Sequence, residues 1–273
     1  MEDINIIKTS PPPRETQGFE EIFNSRDIVF DEKKFLKLIK NVKQENQYKV
    51  LNLSDRRIFD IVENSYEKTC QGKSLESNDF IFPSNEILEL TIIPNEQLAK
   101  YITYRYKYNQ YSHLKTVEQY PPCVQIEIAS RCNFRCIMCY QIDRSFSHKS
   151  KGYMGYMNLD VFKNAVDELE GNVESVTLAS RGEPTLNPQI SEMLDYMRGK
   201  FLASKINTNA SLLTEKMIHE LLSADFQTIV FSVDASDKET YEKIRVGGNF
   251  EQVKENIELF DKIKSKDYSD SRT

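Results

Sequence analysis

Apolar and polar residues follow two regular patterns in the second half of the chain. Short apolar runs of strand length alternate with longer stretches in which apolar residues recur every three or four positions, as on one face of a helix. Strands that alternate with helices form parallel sheets, so we predict an α/β fold. The predicted strands are at residues 123–129, 175–180, 204–210 and 228–236, and the predicted helices are at residues 158–170, 188–199, 214–224 and 248–265.

The ends of these elements carry further information. Asn158 and Thr214 stand where each predicted helix begins and can cap it with a side-chain oxygen. The fourth run, at residues 228–236, is largely apolar, which predicts a strand buried on both faces. In parallel sheets of this kind, binding and catalytic residues gather at the carboxyl ends of the strands. We therefore expect any site to lie in the segments that directly follow the strands.

The first 117 residues show a less regular pattern. The triplet of prolines at residues 11–13 cannot lie inside a helix and predicts a flexible lead-in. We predict a smaller mixed α/β region, with helices at residues 31–46, 54–70 and 95–111 and strands at residues 48–54 and 86–94. Pro121 and Pro122 then interrupt the pattern. We place the domain boundary just before them, which gives an N-terminal region of unknown role, 1–117, and a core domain, 118–273.

Composition and charge exclude some classes of function. The 273 residues carry a formal net charge of −6 and no block of basic residues, so nucleic-acid binding is not expected. The N-terminus lacks the pattern of a secretory signal, and no apolar run is long enough to span a bilayer. We therefore predict a cytoplasmic protein with no membrane partner, in a compartment that keeps thiols reduced.

Three of the five cysteines stand close together. Cys132, Cys136 and Cys139 have the spacing C-x3-C-x2-C and follow the first predicted strand, whereas Cys70 and Cys123 are interpreted as ordinary semi-buried thiols. A structural zinc site commonly uses four ligands, and a ferredoxin supplies four cysteines to each cluster. Three thiolates on a four-iron cluster would leave one iron open for a ligand. His148 could be a fourth ligand, but a solvated side chain is the simpler interpretation.

The cysteine spacing directly after the first strand resembles the radical S-adenosylmethionine (SAM) superfamily. The resemblance implies a partial (β/α) TIM-type barrel and a [4Fe-4S] cluster on Cys132, Cys136 and Cys139, with S-adenosyl-L-methionine bound to the open iron. One electron then cleaves the sulfonium bond, and the resulting 5'-deoxyadenosyl radical abstracts hydrogen from a substrate. It also implies an electron donor such as flavodoxin or ferredoxin.

Other segments that follow strands resemble the superfamily's cofactor-binding segments. "SRGEPTLNP" resembles the Gly-Gly-Glu-Pro segment, with Arg181 in place of the first glycine. "NTNAS" resembles Thr-Asn-Gly, with Ala210 in place of the glycine, and "FSVDAS" resembles Ser-Leu-Asp. Before the last cysteine, methionine occupies a position that is often aromatic and packs against adenine. The residues that the resemblance assigns to cofactor binding are Gly182, Glu183, Thr208, Asn209, Ser232, Asp234 and Met138.

Two other classes of function remain open at this point. One is an iron–sulfur or electron-transfer module without chemistry of its own, and the other is a structural zinc protein. Iron and sulfide analysis separates the zinc protein from the other two, and SAM cleavage separates the enzyme from the module. The sequence does not identify the substrate, although peptide or protein modification is one candidate. "VGGNF" at residues 246–250 is interpreted as a turn into a helix, and His219 as a structural residue.

The number of strand–helix units raises a further expectation. Superfamily members usually have six βα units, whereas four can be counted here, and the fourth strand would be an exposed apolar edge. We expect the chain to be a fragment, with the N-terminal region or a partner as alternative sources of the missing wall. These 273 residues alone are expected to bind a cluster weakly at best and to turn over no substrate. A chain extended by two βα units is expected to cleave SAM.

Overall fold

The computed structural model describes residues 32–83, 86–87, 89–90, 93–271 and 273. The predicted lead-in around residues 11–13 lies outside this part of the chain. The described residues of the N-terminal region form helices α1 (Glu32–Gln44), α2 (Asn46–Val50), α3 (Leu53–Cys70) and α4 (Asn95–Leu114). In α1, Phe35, Ile39 and Val42 are buried at helical spacing, as the sequence predicted. No described helix is long and apolar enough to cross a membrane.

The two strands predicted in the N-terminal region are wrong. Residues 48–54 hold the end of α2 and the start of α3, because Asn52 caps α3 by accepting a hydrogen bond from the N–H of Asp55. Two of the apolar residues that suggested a strand, Val50 and Leu53, are 71% and 74% exposed. The second predicted strand, at residues 86–94, is instead helical at residues 86–87 and 89–90. As far as the structure describes it, the region is therefore helical rather than mixed α/β.

The α/β fold predicted for the second half is confirmed. Strands β1 (Cys123–Ile126), β2 (Ser175–Leu178), β3 (Ala203–Thr208) and β4 (Thr228–Phe231) form a parallel sheet in the order β1-β2-β3-β4. This is consistent with a partial TIM-type barrel. The helices of this half are α5 (Arg144–Ser147), α6 (Leu159–Leu169), α7 (Ile190–Met197), α8 (Glu215–Ser223), α9 (Lys238–Ile244) and α10 (Phe250–Asp267).

Local signals explain why three of the four predicted helices begin where they do. The side chains of Asn158, Thr214 and Asn249 accept hydrogen bonds from backbone N–H groups in the first turns of α6, α8 and α10. Helices α5 and α9 were not predicted from the sequence. They have four and seven residues, which is too short for a periodic pattern to be recognised. Short 3-10 helices are also present at Tyr140–Ile142, Lys149–Lys151 and Pro184–Leu186.

Strand β4 differs from its prediction, because all four of its residues are partly exposed rather than buried on both faces. Within the described part of the chain it pairs only with β3, so it forms an edge of the sheet. One face is nevertheless covered: the ring of Phe231 meets that of Phe260 from α10, with centroids 5.0 Å apart. The exposed apolar edge expected from the sequence is therefore present in the described sheet.

The N-terminal helices pack against the amino ends of the strands. Gln227, just before β4, donates a hydrogen bond from Nε2 to the hydroxyl of Tyr101 on α4. Ala203, the first residue of β3, is buried in the N-terminal hydrophobic core, and Cys123 at the start of β1 packs against that core. The described N-terminal helices therefore lie at the end of the sheet opposite the segment that carries the three cysteines. The boundary between residues 117 and 118 stays a prediction.

Candidate active site at the carboxyl ends of the strands

The three cysteines lie on one loop at the carboxyl end of β1. The loop is held in place through its backbone, since the N–H of Arg135 donates to the carbonyl of Val246 (2.8 Å) and the N–H of Ile137 donates to that of Ile244 (2.9 Å). "VGGNF" is indeed a turn into a helix, and its first residue also anchors the cysteine loop, which the sequence did not predict. Cys132, Cys136 and Cys139 are free thiols that line one cavity of about 420 Å³.

The segments predicted to bind a cofactor line the same cavity. It receives residues from the loop after β2, from the end of β3 and from the segment after β4, because the carboxyl ends of parallel strands meet at one edge of a sheet. All of the residues assigned by resemblance border it: Met138, Gly182, Glu183, Thr208, Asn209, Ser232 and Asp234. Its volume is in the range usual for small-molecule sites. The structure therefore brings together three cysteines and seven further residues that are far apart in the sequence.

Glu183 is the most highly connected of these residues. The residue is 3% exposed. Its carboxylate accepts hydrogen bonds from the Thr208 hydroxyl (2.7 Å), the N–H of Asn209 (2.7 Å) and both the hydroxyl and N–H of Thr185 (2.6 and 3.2 Å). Four donors account for most of the accepting capacity of a carboxylate. Glu183 therefore joins the loop after β2 to the end of β3, and its negative charge lies buried beside the cavity.

Gly182 allows two loops to approach closely. A Cβ at this position would overlap the carbonyl oxygens of Ala129 and Arg131, in the segment between β1 and the first cysteine. The N–H of Glu183 donates to the carbonyl of Arg131 (2.9 Å) in the same contact. Glycine is required here because only a residue without a side chain permits this backbone contact.

Arg181, which replaces the first glycine of the family segment, points toward β1. Its Nε donates to Glu127 Oε2 (2.7 Å), and its guanidinium lies 4.6 Å from the ring centroid of Phe146. Burial raises the pKa of Glu127, but the hydrogen bonds and charge of Arg181 outweigh burial, so the pKa lies below its ordinary value. The carbonyl of Arg181 accepts a hydrogen bond from Gln141 Nε2. The departure from glycine therefore adds an ion pair between the segments that follow the first two strands.

The turn after β3 connects to the cysteine loop. Asn209 Nδ2 donates to Asn133 Oδ1 (2.8 Å), and Asn133 Nδ2 donates to the hydroxyl of Ser211 (2.8 Å). Ala210, where the family has glycine, has a left-handed backbone with φ of 61°, and its carbonyl accepts a hydrogen bond from Asn256 Nδ2 (2.8 Å). An alanine in this conformation carries a small strain. The contacts of its neighbours hold the turn in place.

A cation that the sequence did not predict lies at the far wall of the cavity. Arg245, after α9, forms an ion pair with Asp234 (Nε to Oδ2, 2.7 Å), and its Nη1 lies 3.9 Å from Cys136 Sγ. Burial raises the pKa of the Cys136 thiol, and the charge of Arg245 reduces that rise. Burial also raises the pKa of Cys132, partly offset by the N–H of Phe134. No local sequence signal pointed to Arg245, because it meets Cys136 only in the folded chain.

The remaining predicted residues lie at the rim of the cavity or outside its lining. Met138 is 59% exposed at the cavity rim. The imidazole of His148 lies near Ser150 (Nδ1 to Oγ, 2.8 Å), away from the three thiols, and that of His219 contacts the Tyr268 hydroxyl. Cys70 and Cys123 are partly buried. They do not line the cavity, which agrees with their interpretation as ordinary thiols.

The three cysteine thiols suit an iron–sulfur cluster better than a single metal ion. In the described part of the chain, no three Cys, His, Asp or Glu side chains are close enough together to hold one metal ion. A four-iron cluster makes a different demand, because each thiolate binds its own iron atom. Three free thiols on one short loop face a cavity that also has a buried carboxylate and a partly buried guanidinium. This arrangement fits a cluster with one open iron.

A comparison with protein families identifies this arrangement. Residues 126–271, just over half of the chain, match the model of the radical SAM superfamily. The chain belongs to this superfamily. Its members use a [4Fe-4S] cluster and S-adenosylmethionine, and its characterised members are enzymes.

Curated relatives match the same part of the chain. A cofactor-modifying protein for tungsten-containing aldehyde ferredoxin oxidoreductase from Pyrococcus furiosus is 29% identical over 144 residues, which is 50% of this chain and 39% of the relative. A probable GTP 3',8-cyclase from Methanococcus maripaludis is 30% identical over 135 residues, 49% of this chain and 43% of the relative. The mycofactocin maturase MftC from Mycobacterium tuberculosis is 28% identical over 133 residues, 49% and 32%. The chain thus spans less than half the length of these relatives.

Solved structures of low sequence identity are also similar. Streptococcus suis SuiB bound to the precursor peptide SuiA is 17% identical, with a TM-score of 0.46, over 72% of this chain and 42% of that chain. The structure of anSMEcpe with bound AdoMet is 24% identical, with a TM-score of 0.43, over 52% of this chain and 41% of that chain.

Proposed function

We propose that this chain forms the cofactor-binding part of an enzyme that cleaves S-adenosylmethionine by one-electron reduction and starts radical chemistry on a substrate. The observation that carries the proposal is the position of Cys132, Cys136 and Cys139 on one wall of a cavity whose other walls bear Glu183 and Arg245. The three thiolates would hold three irons of a [4Fe-4S] cluster. When bound, the cluster supplies one electron that breaks the sulfonium bond of SAM and yields a 5'-deoxyadenosyl radical.

The charges of the cavity suit the two ends of the methionine part of SAM. The carboxylates of Glu183 and Asp234 provide negative charge for an ammonium group, and the guanidinium of Arg245 provides positive charge for a carboxylate. Because the oxygens of Glu183 already accept four hydrogen bonds, we propose that it acts through its charge and by fixing the surrounding backbone. The contact of Glu183 with the ammonium group stays a prediction.

The remaining residues have supporting roles in the proposal. Met138 offers an exposed apolar side chain at the rim, against which an adenine ring can pack. Gly182 brings the loop after β2 against the cysteine segment, and Thr208 holds Glu183. Ser232, whose N–H donates to the carbonyl of Thr208 (2.8 Å), and Asn209 complete the polar wall. In this account no protein side chain acts as the acid or base of the cleavage step.

For the substrate and the source of the electron, we propose a class of molecule only. The relatives include a maturase and a cofactor-modifying protein, so we propose a peptide, a protein or a cofactor precursor as the substrate class. The electron would come from a carrier such as a flavodoxin or a ferredoxin. A reduced cluster needs a compartment of low potential, which agrees with the cytoplasmic location predicted from the sequence.

A second candidate is an iron–sulfur module that transfers electrons without chemistry of its own. The same three cysteines would serve it, but the charged side chains Glu183, Asp234 and Arg245 around the cavity would then have no ligand to bind. We therefore favour the enzyme. The two candidates differ in whether the protein binds SAM.

The experiment that tests the proposal measures cluster content and SAM binding in the full natural chain. After anaerobic reconstitution, we expect about four iron and four sulfide per chain. Calorimetric titration should detect SAM binding to the cluster-loaded protein and much weaker binding to the cluster-free protein. Full cluster occupancy with no SAM binding would favour the electron-transfer module. Zinc without sulfide would contradict both candidates.

A further inference from the structure

The thiols of Cys132 and Cys136 both have an N–H group near sulfur, and the group at Cys136 belongs to a cation. The backbone nitrogen of Phe134 lies 3.4 Å from Cys132 Sγ, and Nη1 of Arg245 lies 3.9 Å from Cys136 Sγ. Cys136 is buried, and the side chain of Arg245 is 13% exposed. Water therefore screens the charge of Arg245 less than it screens a charge on the surface. Arg245 thus places a positive charge beside a buried thiol.

The backbone places Arg245 opposite Cys136. Two hydrogen bonds join the residues on either side of Cys136 to the residues on either side of Arg245. The N–H donors and their carbonyl acceptors are Arg135 with Val246 (2.8 Å) and Ile137 with Ile244 (2.9 Å). Because both neighbours of each residue are held, the two segments cannot slide past each other without breaking these bonds. The contact between guanidinium and thiol therefore follows from the fold of the backbone and not from a flexible side chain alone.

Further contacts orient Arg245 itself. Its Nε pairs with Oδ2 of Asp234 at 2.7 Å, and Asp234 lies in the segment after β4. The N–H of Arg245 donates to the carbonyl of Tyr241 (2.7 Å), and its own carbonyl accepts from the N–H of Gly248 (2.8 Å). A Cβ on Gly248 would lie only 3.0 Å from both the Tyr241 ring and the Arg245 carbonyl oxygen, so this turn is tightly packed. Arg245 is therefore oriented by its backbone and by Asp234 before any ligand enters the cavity.

We propose that Arg245 sets the reduction potential of the cluster, acting at Cys136 and oriented by Asp234. The inference rests on the proposed function, in which Cys132, Cys136 and Cys139 hold that cluster. Reduction moves one electron from the electron carrier to the cluster, and no bond forms or breaks in this step. Arg245 then has a role before SAM arrives, in addition to the contact with the SAM carboxylate proposed above.

The sign of each contribution follows from its charge. The reduced cluster carries one more negative charge than the oxidised cluster, so a nearby cation raises the reduction potential and a nearby carboxylate lowers it. Arg245 should therefore favour reduction, and Asp234 should oppose it. Glu183, which is buried and lines the same cavity, also opposes reduction. Arg245 thus offsets part of the negative charge that two carboxylates and three thiolates place around the cluster.

The test is a redox titration of the anaerobically reconstituted full natural chain without SAM, followed by electron paramagnetic resonance of the reduced cluster. Arg245→Gln should shift the equilibrium toward the oxidised form by about tenfold or more, equivalent to a potential lower by about 59 mV. Asp234→Asn should shift it in the opposite direction. Arg245→Lys keeps the charge and should have a smaller effect than Arg245→Gln. Lys262→Gln removes an exposed charge on α10, outside the cavity lining, and as the control should shift the equilibrium by less than about twofold.

Two results would overturn the role of Arg245 in setting the potential. One is an equal potential in the wild-type chain and Arg245→Gln, each with a complete cluster, which would leave Arg245 with the SAM carboxylate alone. The other is a shift of the same sign in Arg245→Gln and Asp234→Asn, because a general disturbance of the loop does not follow the sign of the charge removed. If Arg245→Gln assembles no cluster, Asp234→Asn decides, and its potential must lie above that of the wild-type chain.

A failure of the proposed function gives different results. A wild-type chain that assembles no cluster would contradict both the proposed function and the role of Arg245. A chain whose potential shifts as expected in the variants but that never binds SAM would contradict only the proposed function.

Discussion

The hydroxyl of Thr208, at the end of β3, donates a hydrogen bond of 2.7 Å to the buried carboxylate of Glu183, in the loop after β2. This contact joins two segments that lie 25 residues apart in the chain, at the edge of the sheet where the three thiols face the cavity. It explains why a single carboxylate can matter both for the folding of the site and for the charge that a cofactor meets there.

Replacing Glu183 by alanine should therefore lower the stability of the folded protein as well as SAM binding. The change leaves the hydroxyls of Thr185 and Thr208 and the N–H of Asn209 without their acceptor, which should reduce the free energy of unfolding by about 3 kcal/mol. Urea unfolding of the cluster-free protein measures this. Glu168→Ala, at an exposed position on α6, is the control and should cost less than about 0.5 kcal/mol. A similar small effect in both variants would contradict the structural role of Glu183.

The close contact of Gly182 predicts a sharp difference between two glycines. Gly182→Ala would force a Cβ into the carbonyl oxygens of Ala129 and Arg131, so we expect a loss of at least about 2 kcal/mol of stability and a poorly formed cluster site. Gly155→Ala is the matched control, because its added Cβ meets no atom within 4 Å. Thermal unfolding and iron content measure both effects. If Gly182→Ala retained full stability and iron content, the close approach of the two loops would be wrong.

The assignment of the cluster predicts which cysteines matter. Alanine at Cys132, Cys136 or Cys139 should abolish cluster assembly after anaerobic reconstitution, because each thiolate is expected to bind one iron. Alanine at Cys70 or Cys123 should leave iron and sulfide content unchanged, since neither thiol lines the cavity. Iron and sulfide analysis with absorption spectroscopy gives the answer. Full cluster occupancy in any of the first three variants would refute the assignment.

The ion pair between Glu127 and Arg181 predicts a dependence of stability on pH. The pKa of Glu127 is lower in the folded protein, so its stabilising contribution is fully present above the unfolded-state pKa of about 4.3 and is lost as pH falls through the folded-state value. Glu127→Gln should cost about 1 kcal/mol at pH 7, and this cost should decrease progressively below about pH 5. Urea unfolding at a series of pH values measures it. A cost that does not change between pH 7 and pH 3.5 would contradict the ion pair.

The regular part of the fold was predictable because buried parallel strands and their helices leave strong periodic patterns. Helix caps such as Asn158 and Thr214 added precise starting points. The strand predicted at residues 48–54 failed because an apolar run at a junction between helices resembles a short strand, although Val50 and Leu53 are exposed there. Local sequence propensity alone cannot distinguish a short strand from an apolar run between two helices.

The site itself was predictable only where a motif marked it. The cysteine spacing and the segments containing Glu183, Thr208 and Asp234 were found through their resemblance to a family. Arg245 and Asn133 belong to no such motif. Arg245 matters through its contact with Cys136, 109 residues away, and Asn133 through its contact with Asn209, 76 residues away. Contacts of this kind are set by tertiary packing and become visible only in the folded chain.

The central claim is that Cys132, Cys136 and Cys139 support one-electron cleavage of S-adenosylmethionine. The measurement that tests it most directly is the formation of 5'-deoxyadenosine by the anaerobically reconstituted full natural chain with dithionite and SAM, quantified by mass spectrometry. The account predicts 5'-deoxyadenosine and methionine in equal amounts from the wild-type protein and none from Cys139→Ala. A wild-type protein with a complete cluster that releases no 5'-deoxyadenosine, or undiminished cleavage by Cys139→Ala, would contradict it.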